Sequence, residues 1–338
     1  MQNYNYLSYW IKRFLLEYLI SIKNLSKNTQ HSYRDTFRLM LPFVAQIRKK
    51  SIDNLNVEDI SPDTVKAFLM DMEATRHCSI STRNQRLAAI HALSKFIGIN
   101  SPEHVEWCRQ IQMIPPKKAV KKLITYLEKS EMNALLEAPD KTNAQGFRDY
   151  VLLLFMYNTG ARADEVAQLL ISDLSIADNP QNLSTVLIKG KGGKLRRCPL
   201  WQHTVIELKC ILANRDKSEH VFLNRCKQPL TRFGIHTIVK KYVEKITLEL
   251  PEIIKKQVSP HTIRHTTATH LLQSGVDINT IRAWLGHVSI NTTNIYAEVD
   301  LAMKAKALAT CEITNKAEPD NNKHWRDDKD LMDFLNKL

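Results

Sequence analysis

Glycine is scarce in this chain, with 9 among 338 residues. That excludes a glycine-rich architecture and leaves each glycine to mark a turn or a helix end. No apolar run approaches the roughly 20 residues a helix needs to span a bilayer. The opening Met1-Gln2-Asn3-Tyr4 has no basic-then-apolar leader pattern. The expected compartment is the cytoplasm, with no membrane partner. The six cysteines, Cys78, Cys108, Cys198, Cys210, Cys226 and Cys311, include no C-x-x-C pair and no cluster. They read as reduced, mostly buried thiols, not as disulfides or zinc ligands.

Acidic charge is also short. Lys and Arg number 48 against 35 Asp and Glu, a net charge of +13. The excess is densest early: residues 1–122 carry 19 basic and 10 acidic groups, whereas residues 311–338 carry 5 and 7. A polyanion such as double-stranded DNA is the partner this suggests. A merely basic soluble protein is the bland alternative, and charge alone does not separate the two.

What is abundant is helical patterning. Leu7, Trp10, Ile11, Phe14, Leu15, Tyr18 and Leu19 recur at helical spacing, predicting one amphipathic helix. A second is expected from Asn28 or Thr29 to about Ile47, and a third from Ser61-Pro62, an N-cap with proline behind it. A fourth is expected from Ser81 or Thr82, with Gly98 as its stop and Arg83 and Arg86 on its outer face. Met113-Ile114-Pro115-Pro116 followed by four lysines in six residues reads as a basic linker, 113–122, of the kind a protein encircling DNA would use.

Beyond it, Arg148–Thr159 predicts an apolar helix ending at Gly160. Thr185–Ile188 predicts a strand that turns at Gly190–Lys194 into Leu195–Leu200. Helices follow at about 231–249, 260–273, 278–285, 290–297 and 301–310. The chain is therefore read as mainly α, of α+β class. It has a small all-helical domain (1–112), the linker, and a larger mostly helical domain with a small antiparallel sheet (123–310). A tail (311–338) ends in one apolar stripe, Leu331, Phe334, Leu335 and Leu338. That stripe is too short to be stable alone and is expected on a partner subunit or on its own domain.

The chemistry gathers near the C-terminal end. Ser259-Pro260 caps a helix whose first turns carry His261, Arg264 and His265, and His261 and Arg264 share a face near free N–H groups that favour an anion. Gly286 ends the next helix and presents His287, and nine residues later stands Tyr296. An arginine, imidazoles and a phenol on linked short helices make a phosphate site. His265 and His270 read individually as packed helix residues. A zinc hydrolase is the rival: His261 and His265 are four apart, with His287 downstream. Thr262 stands where such a site needs a glutamate, however, and Arg264 would repel the cation.

Five segments in order resemble the tyrosine site-specific recombinases of the phage-integrase family. Asn158-Thr159-Gly160-Ala161-Arg162-Ala163-Asp164-Glu165 is similar to their first arginine box. Gly190-Lys191-Gly192-Gly193-Lys194-Leu195-Arg196 with Cys198-Pro199-Leu200 resembles their lysine-bearing hairpin. Ser259-Pro260-His261-Thr262-Ile263-Arg264-His265, Trp284-Leu285-Gly286-His287 and Asn291-Thr292-Thr293-Asn294-Ile295-Tyr296 match the remaining boxes, and no catalytic position departs from the pattern. A weaker likeness, through Leu25–Thr29 and Ser32-Tyr33, extends to residues 1–100.

The resemblance implies the following roles. Arg162 and Arg264 grip the non-bridging oxygens of a scissile DNA phosphate, and Tyr296 attacks phosphorus to leave a 3′-phosphotyrosyl link. His261 takes the phenol proton, Lys191 protonates the departing 5′-oxygen, His287 bonds the phosphate, and Glu165 holds the site together. It further implies no cofactor and no metal, with homo-oligomeric (tetrameric) or related recombinase subunits as partners. An inactive DNA-binding accessory protein is one alternative, and a type IB topoisomerase, which shares the chemistry, is another; the small N-terminal helical domain and the match of the boxes favour a recombinase.

Overall fold

The computed structural model describes residues 6–119, 124–177, 179, 182–286 and 333, and the chain divides into two units, Met1–Lys122 and Leu123–Leu338. In the first unit α1 (Leu7–Arg13) runs into a π-helical stretch, Phe14–Ile22, where the apolar spacing predicts one regular helix. The turn widens where Phe14 stacks on Tyr18 at 5.6 Å and on Tyr33 at 6.0 Å, ring contacts that periodicity does not report.

Helix α2 (Lys27–Arg48) starts earlier than expected, because Ser26, not Asn28 or Thr29, accepts the amide of Thr29. Helix α3 (Pro62–Ala74) begins as predicted, with Ser61 accepting from Thr64 N. Helix α4 (Ile80–Asn100) is capped by Ser79 through Thr82 N, so Ser81 and Thr82 lie inside it. In both misplaced caps several hydroxyls run together, and the winner is the one three residues before an orphan amide.

Gly98 does not stop α4. It sits where α5 (Val105–Gln112) crosses, and a Cβ there would come within 2.7 Å of Cys108 Cβ. Arg83 and Arg86 also differ from expectation. Arg83 lies 3.8 Å from Glu73, and Arg86 donates to Ser32 O (3.2 Å) and Thr36 Oγ1 (3.1 Å), tying α4 to α2. The unit's core gathers Trp10, Phe14, Phe37, Phe68 and Phe96. Ile114 joins it, and Lys117 pairs with Glu73 at 2.9 Å.

The second unit comprises, in order, α6 (Lys129–Glu137), α7 (Ala144–Thr159), α8 (Ala163–Ala167), β1 (Leu174–Ser175), β2 (Thr185–Lys189), β3 (Leu195–Pro199), α9 (Gln202–Leu212), α10 (Arg232–Ile246), α11 (Pro260–Gln273) and α12 (Ile278–Leu285). The three strands pair antiparallel in the order β1-β2-β3, with Leu187 opposite Arg197 and Ile188 opposite Arg196. Helix α10 is shorter than its pattern suggests, ending at Ile246.

Between Tyr150 and Met156 helix α7 is apolar all round and is buried accordingly: Val151, Leu152, Leu153, Phe155 and Met156 are fully enclosed. Each such side chain contributes roughly 1.5–3 kcal/mol over leaving it exposed. The end of α7 is fastened to the end of β3, because Asn158 accepts from Trp201 N at 2.9 Å and donates to Pro199 O at 3.3 Å. The other end is held by Tyr242 of α10, whose hydroxyl donates to the buried Asp149 carboxylate at 2.8 Å while Arg148 pairs with it at 2.6 Å. Among the described residues no helix is long and apolar enough to cross a membrane. The helices expected at 290–297 and 301–310 and the terminal apolar stripe lie outside the described residues.

Candidate active site

Three chain segments converge at the C-terminal ends of α7 and α12. Gly160 caps α7 in the left-handed conformation, φ +60°, which turns the chain so that Arg162 becomes the N-cap of α8. Ser259 caps α11 with Pro260 behind it. Its hydroxyl accepts from Thr262 N at 3.4 Å and Thr262 Oγ1 accepts from Ser259 N at 3.0 Å. That reciprocal cap fixes the first turns of α11, with His261 exposed and Arg264 buried.

Arg264 is only 3 % exposed, yet its charge is well met. Nη1 donates to Gly160 O at 2.6 Å and Nη2 to Leu285 O at 2.5 Å, carbonyls at the C-terminal ends of two helices. Helix C-termini carry partial negative charge, so both bonds are electrostatically favoured. Two fixed contacts set the plane of the guanidinium. Helix α11 is itself pinned by hydroxyls and an imidazole: Thr266 accepts from Leu127 N (2.9 Å), Thr267 donates to Tyr157 O (2.8 Å), and His270 Nδ1 bonds the Tyr157 hydroxyl (2.7 Å).

Arg162 stands two residues beyond Gly160. Its Nη1 donates to Glu165 Oε1 at 2.7 Å, and its backbone N–H donates to Glu165 Oε2 at 2.9 Å. The same Oε2 receives Arg196 Nη2 at 2.6 Å. Burial alone would raise the Glu165 carboxyl. The Arg196 guanidinium outweighs it, with the backbone amide and side chain of Arg162 adding, and the carboxyl is held below its ordinary value. Glu165 thus stays ionised between two arginines.

Desolvation depresses the His261 imidazole, and the charges of Arg264 and Arg162 push it further down, with His236 adding and Glu165 opposing. The imidazole is thereby kept neutral near pH 7 in the field of the two guanidiniums. His265 is pushed down to about 4, first by desolvation and then by His261 and Arg264. His265 is half-buried, and His270 is buried and bonded to Tyr157.

The structure brings together Arg162, His261 and Arg264. Lys191 opens the short turn Lys191–Gly193 between β2 and β3. The expected His287 and Tyr296 lie outside the described residues, His287 following directly on Gly286, the left-handed cap of α12. Among the described residues no group of three or more His, Cys, Asp or Glu is placed to hold a metal ion.

Arg196 belongs to the hairpin segment but is not among the residues the motifs mark as catalytic. No sequence signal marks it, because the fold and not the residue type sets the alternation, Leu195 out, Arg196 in, Arg197 out, Cys198 in. Nor was any residue of α10 singled out, although His236 contributes to the field at His261.

The family model described as the phage integrase family matches residues 125–303, and that of the phage integrase N-terminal SAM-like domain matches residues 11–97. A Sinorhizobium fredii protein named as integrase/recombinase y4rC is 34% identical over 332 residues, covering 97% of both chains. The tyrosine recombinase XerD of Staphylococcus epidermidis is 37% identical over 287 residues, covering 82% of this chain and 90% of its own. Among solved structures, XerH bound to a palindromic difH substrate shares the fold with TM-score 0.66 at 24% identity, over 86% of this chain and 82% of its own. The Tn1549 transposon integrase in complex with a circular intermediate DNA does so with TM-score 0.66 at 15% identity, over 88% and 98%.

Proposed function

The chain belongs to the phage integrase family, and on that premise we propose that it is a site-specific recombinase that cleaves and rejoins double-stranded DNA through a 3′-phosphotyrosyl intermediate. The observation that carries this reading is the pair Arg162 and Arg264, both fixed around Gly160 with a neutral His261 beside them. Planar guanidiniums offer paired N–H donors to phosphate oxygens in a geometry that lysine does not reproduce. Held in place beforehand, they stabilise charge as it develops on the phosphoryl group.

In this reading the Tyr296 oxygen bonds to phosphorus and its proton passes to His261. The bond to the 5′-oxygen breaks, and Lys191 gives that oxygen its proton. His287 bonds the phosphate as charge builds. The 5′-hydroxyl of a second strand then attacks phosphorus and gives its proton to Lys191, and the P–O bond to Tyr296 breaks as the phenolate recovers its proton from His261. The bond energy is retained in the phosphotyrosine, so rejoining calls for neither ATP nor a metal. Residues 1–112 form the helical DNA-binding unit, 113–122 a basic linker whose first residues are held on that unit through Ile114 and Lys117, 123–310 the catalytic domain and 311–338 a subunit-contact tail. The partners are DNA and further copies of the chain, as a tetrameric synapse, or related recombinase subunits, in the cytoplasm.

The test is an SDS-resistant adduct on nicked duplexes drawn from DNA flanking the gene, with EDTA present. The protein forms a covalent adduct and Tyr296→Phe forms none. Binding without an adduct on any duplex would make it an accessory protein, and loss of both would overturn the DNA reading.

A further inference from the structure

We infer that Arg196 is a positioning residue that registers the Lys191 hairpin against Arg162, the inference resting on the recombinase reading above. Arg196 occupies an inward position of β3 and is 9 % exposed. An arginine in that place is costly unless its donors are met, and they are met by two other segments. Nη2 donates to Glu165 Oε2 at 2.6 Å, on the carboxylate that also holds Arg162, and Nε donates to Trp284 O at 2.9 Å, in the last turn of α12. One guanidinium therefore joins the strand after the hairpin, the Arg162 segment and the turn leading to His287.

The surroundings are shaped to this group. A Cβ on Gly286 would lie 3.1 Å from Arg196 Cδ, so the α12 cap closes directly on its stem. A Cβ on Gly190 would lie 3.4 Å from Glu165 Oε1 and 3.6 Å from Arg196 Nη1, which seats the first residue of the hairpin turn on the ion pair. Gly190 N donates to Lys194 O at 2.7 Å and closes the base of the turn. At the tip, Gly192 and Gly193 both have φ +75° and a Cβ on either would meet nothing within 4 Å. The hairpin thus has an anchored base and a tip in open space. The anchor sets where the tip starts from.

An arginine needed only for folding would affect all chemistry alike, whereas one that places the proton donor affects only steps that need a proton. On an ordinary phosphate the departing 5′-oxygen takes a proton as the P–O bond breaks. With sulfur in place of that oxygen, the thiolate leaves without one. Arg196→Lys keeps the charge Glu165 needs, but a single ammonium does not span Glu165 and Trp284 O as the fork does.

The experiment compares adduct rates for the full chain, Arg196→Lys and Lys191→Ala on two nicked duplexes, one with the normal 5′-oxygen and one with a 5′-bridging sulfur. Arg196→Lys should lose at least about tenfold on oxygen and return to within about threefold of the parent on sulfur, as Lys191→Ala does. Equal loss on both duplexes, or no loss on oxygen, would overturn the inference while the parent's adduct leaves the recombinase reading intact. A parent that binds both duplexes but forms no adduct would overturn that reading and the inference with it. Arg196→Gln, which keeps a planar donor without the charge, supplies the same comparison should the lysine variant fail to fold.

Discussion

Arg264 and Gly160, 104 positions apart in sequence, are joined by a 2.6 Å hydrogen bond from Nη1 to the glycine carbonyl. The bond requires Gly160 to stay left-handed, and a Cβ there would also lie 2.6 Å from Leu285 Cδ2. Gly160→Ala should therefore cost about 1–3 kcal/mol in urea unfolding. Its adduct rate should fall further than the stability loss explains, because Leu285 O is the other anchor of Arg264. A rate that tracks only the folded fraction would show that this anchoring is not used.

Glu165→Gln keeps the shape of the side chain and removes the charge shared by two arginines. With the Arg196 side chain only 7% exposed, the uncompensated guanidinium should destabilise the second unit by about 3 kcal/mol. Chemical denaturation measures it, and a change below about 1 kcal/mol would count against a buried ionised pair.

Arg162→Lys isolates geometry from charge. Its side chain is 32 % exposed, so unfolding should shift by less than about 1 kcal/mol. The adduct rate should nonetheless fall by at least about a hundredfold, because one ammonium replaces a planar pair of donors. Near-parental cleavage by this variant would undo the guanidinium argument.

The imidazoles give two pH dependences of known sign. His265 binds its proton at about 4 when folded and near the ordinary 6.5 when unfolded. The unfolded chain thus binds more protons between those values, and stability should climb as pH rises from about 4 to 6.5, by at most about 3 kcal/mol. His265→Asn should reduce that slope in thermal melts, the similarly depressed His91, His261 and His270 supplying the remainder. His261 is also depressed, so the base form persists below the usual imidazole range. Adduct formation should hold into mild acid and fail as pH drops through the lowered value, and His261→Ala should remove that acidic limb.

Tyr242→Phe serves as the contrast. It takes one donor from the buried Asp149 carboxylate, which keeps its Arg148 partner. The expected cost is about 1–2 kcal/mol in unfolding with an unchanged adduct rate per folded molecule.

The second unit was largely legible in the sequence, because its signals are local. Ser259-Pro260, Gly160 and Gly286 mark helix ends by capping chemistry, and Arg162, His261 and Arg264 sit beside those marks. What escaped depends on packing between distant segments. Strand β1 is two residues long and has no periodicity to read. The wide turn at Phe14 answers to Tyr33, and Gly98 answers to Cys108. Arg196 reads as a surface residue of a basic hairpin until Glu165, 31 positions away, is found beneath it.

Cys198 is wholly buried on β3, with Sγ 3.5 Å from Trp284 O, and desolvation raises its thiol above the ordinary value. Thiolate is the form that alkylating reagents attack, so this sulfur is shielded twice, by access and by protonation. Against the expectation of mostly buried thiols, Cys78 and Cys108 are half-buried and Cys210 and Cys226 exposed, Cys210 because it falls off the buried face of α9. Maleimide dyes will decorate the two exposed sulfurs and leave the one on β3 unmodified. The second unit thus carries reporter handles for fluorescence on DNA without any engineering next to its chemistry.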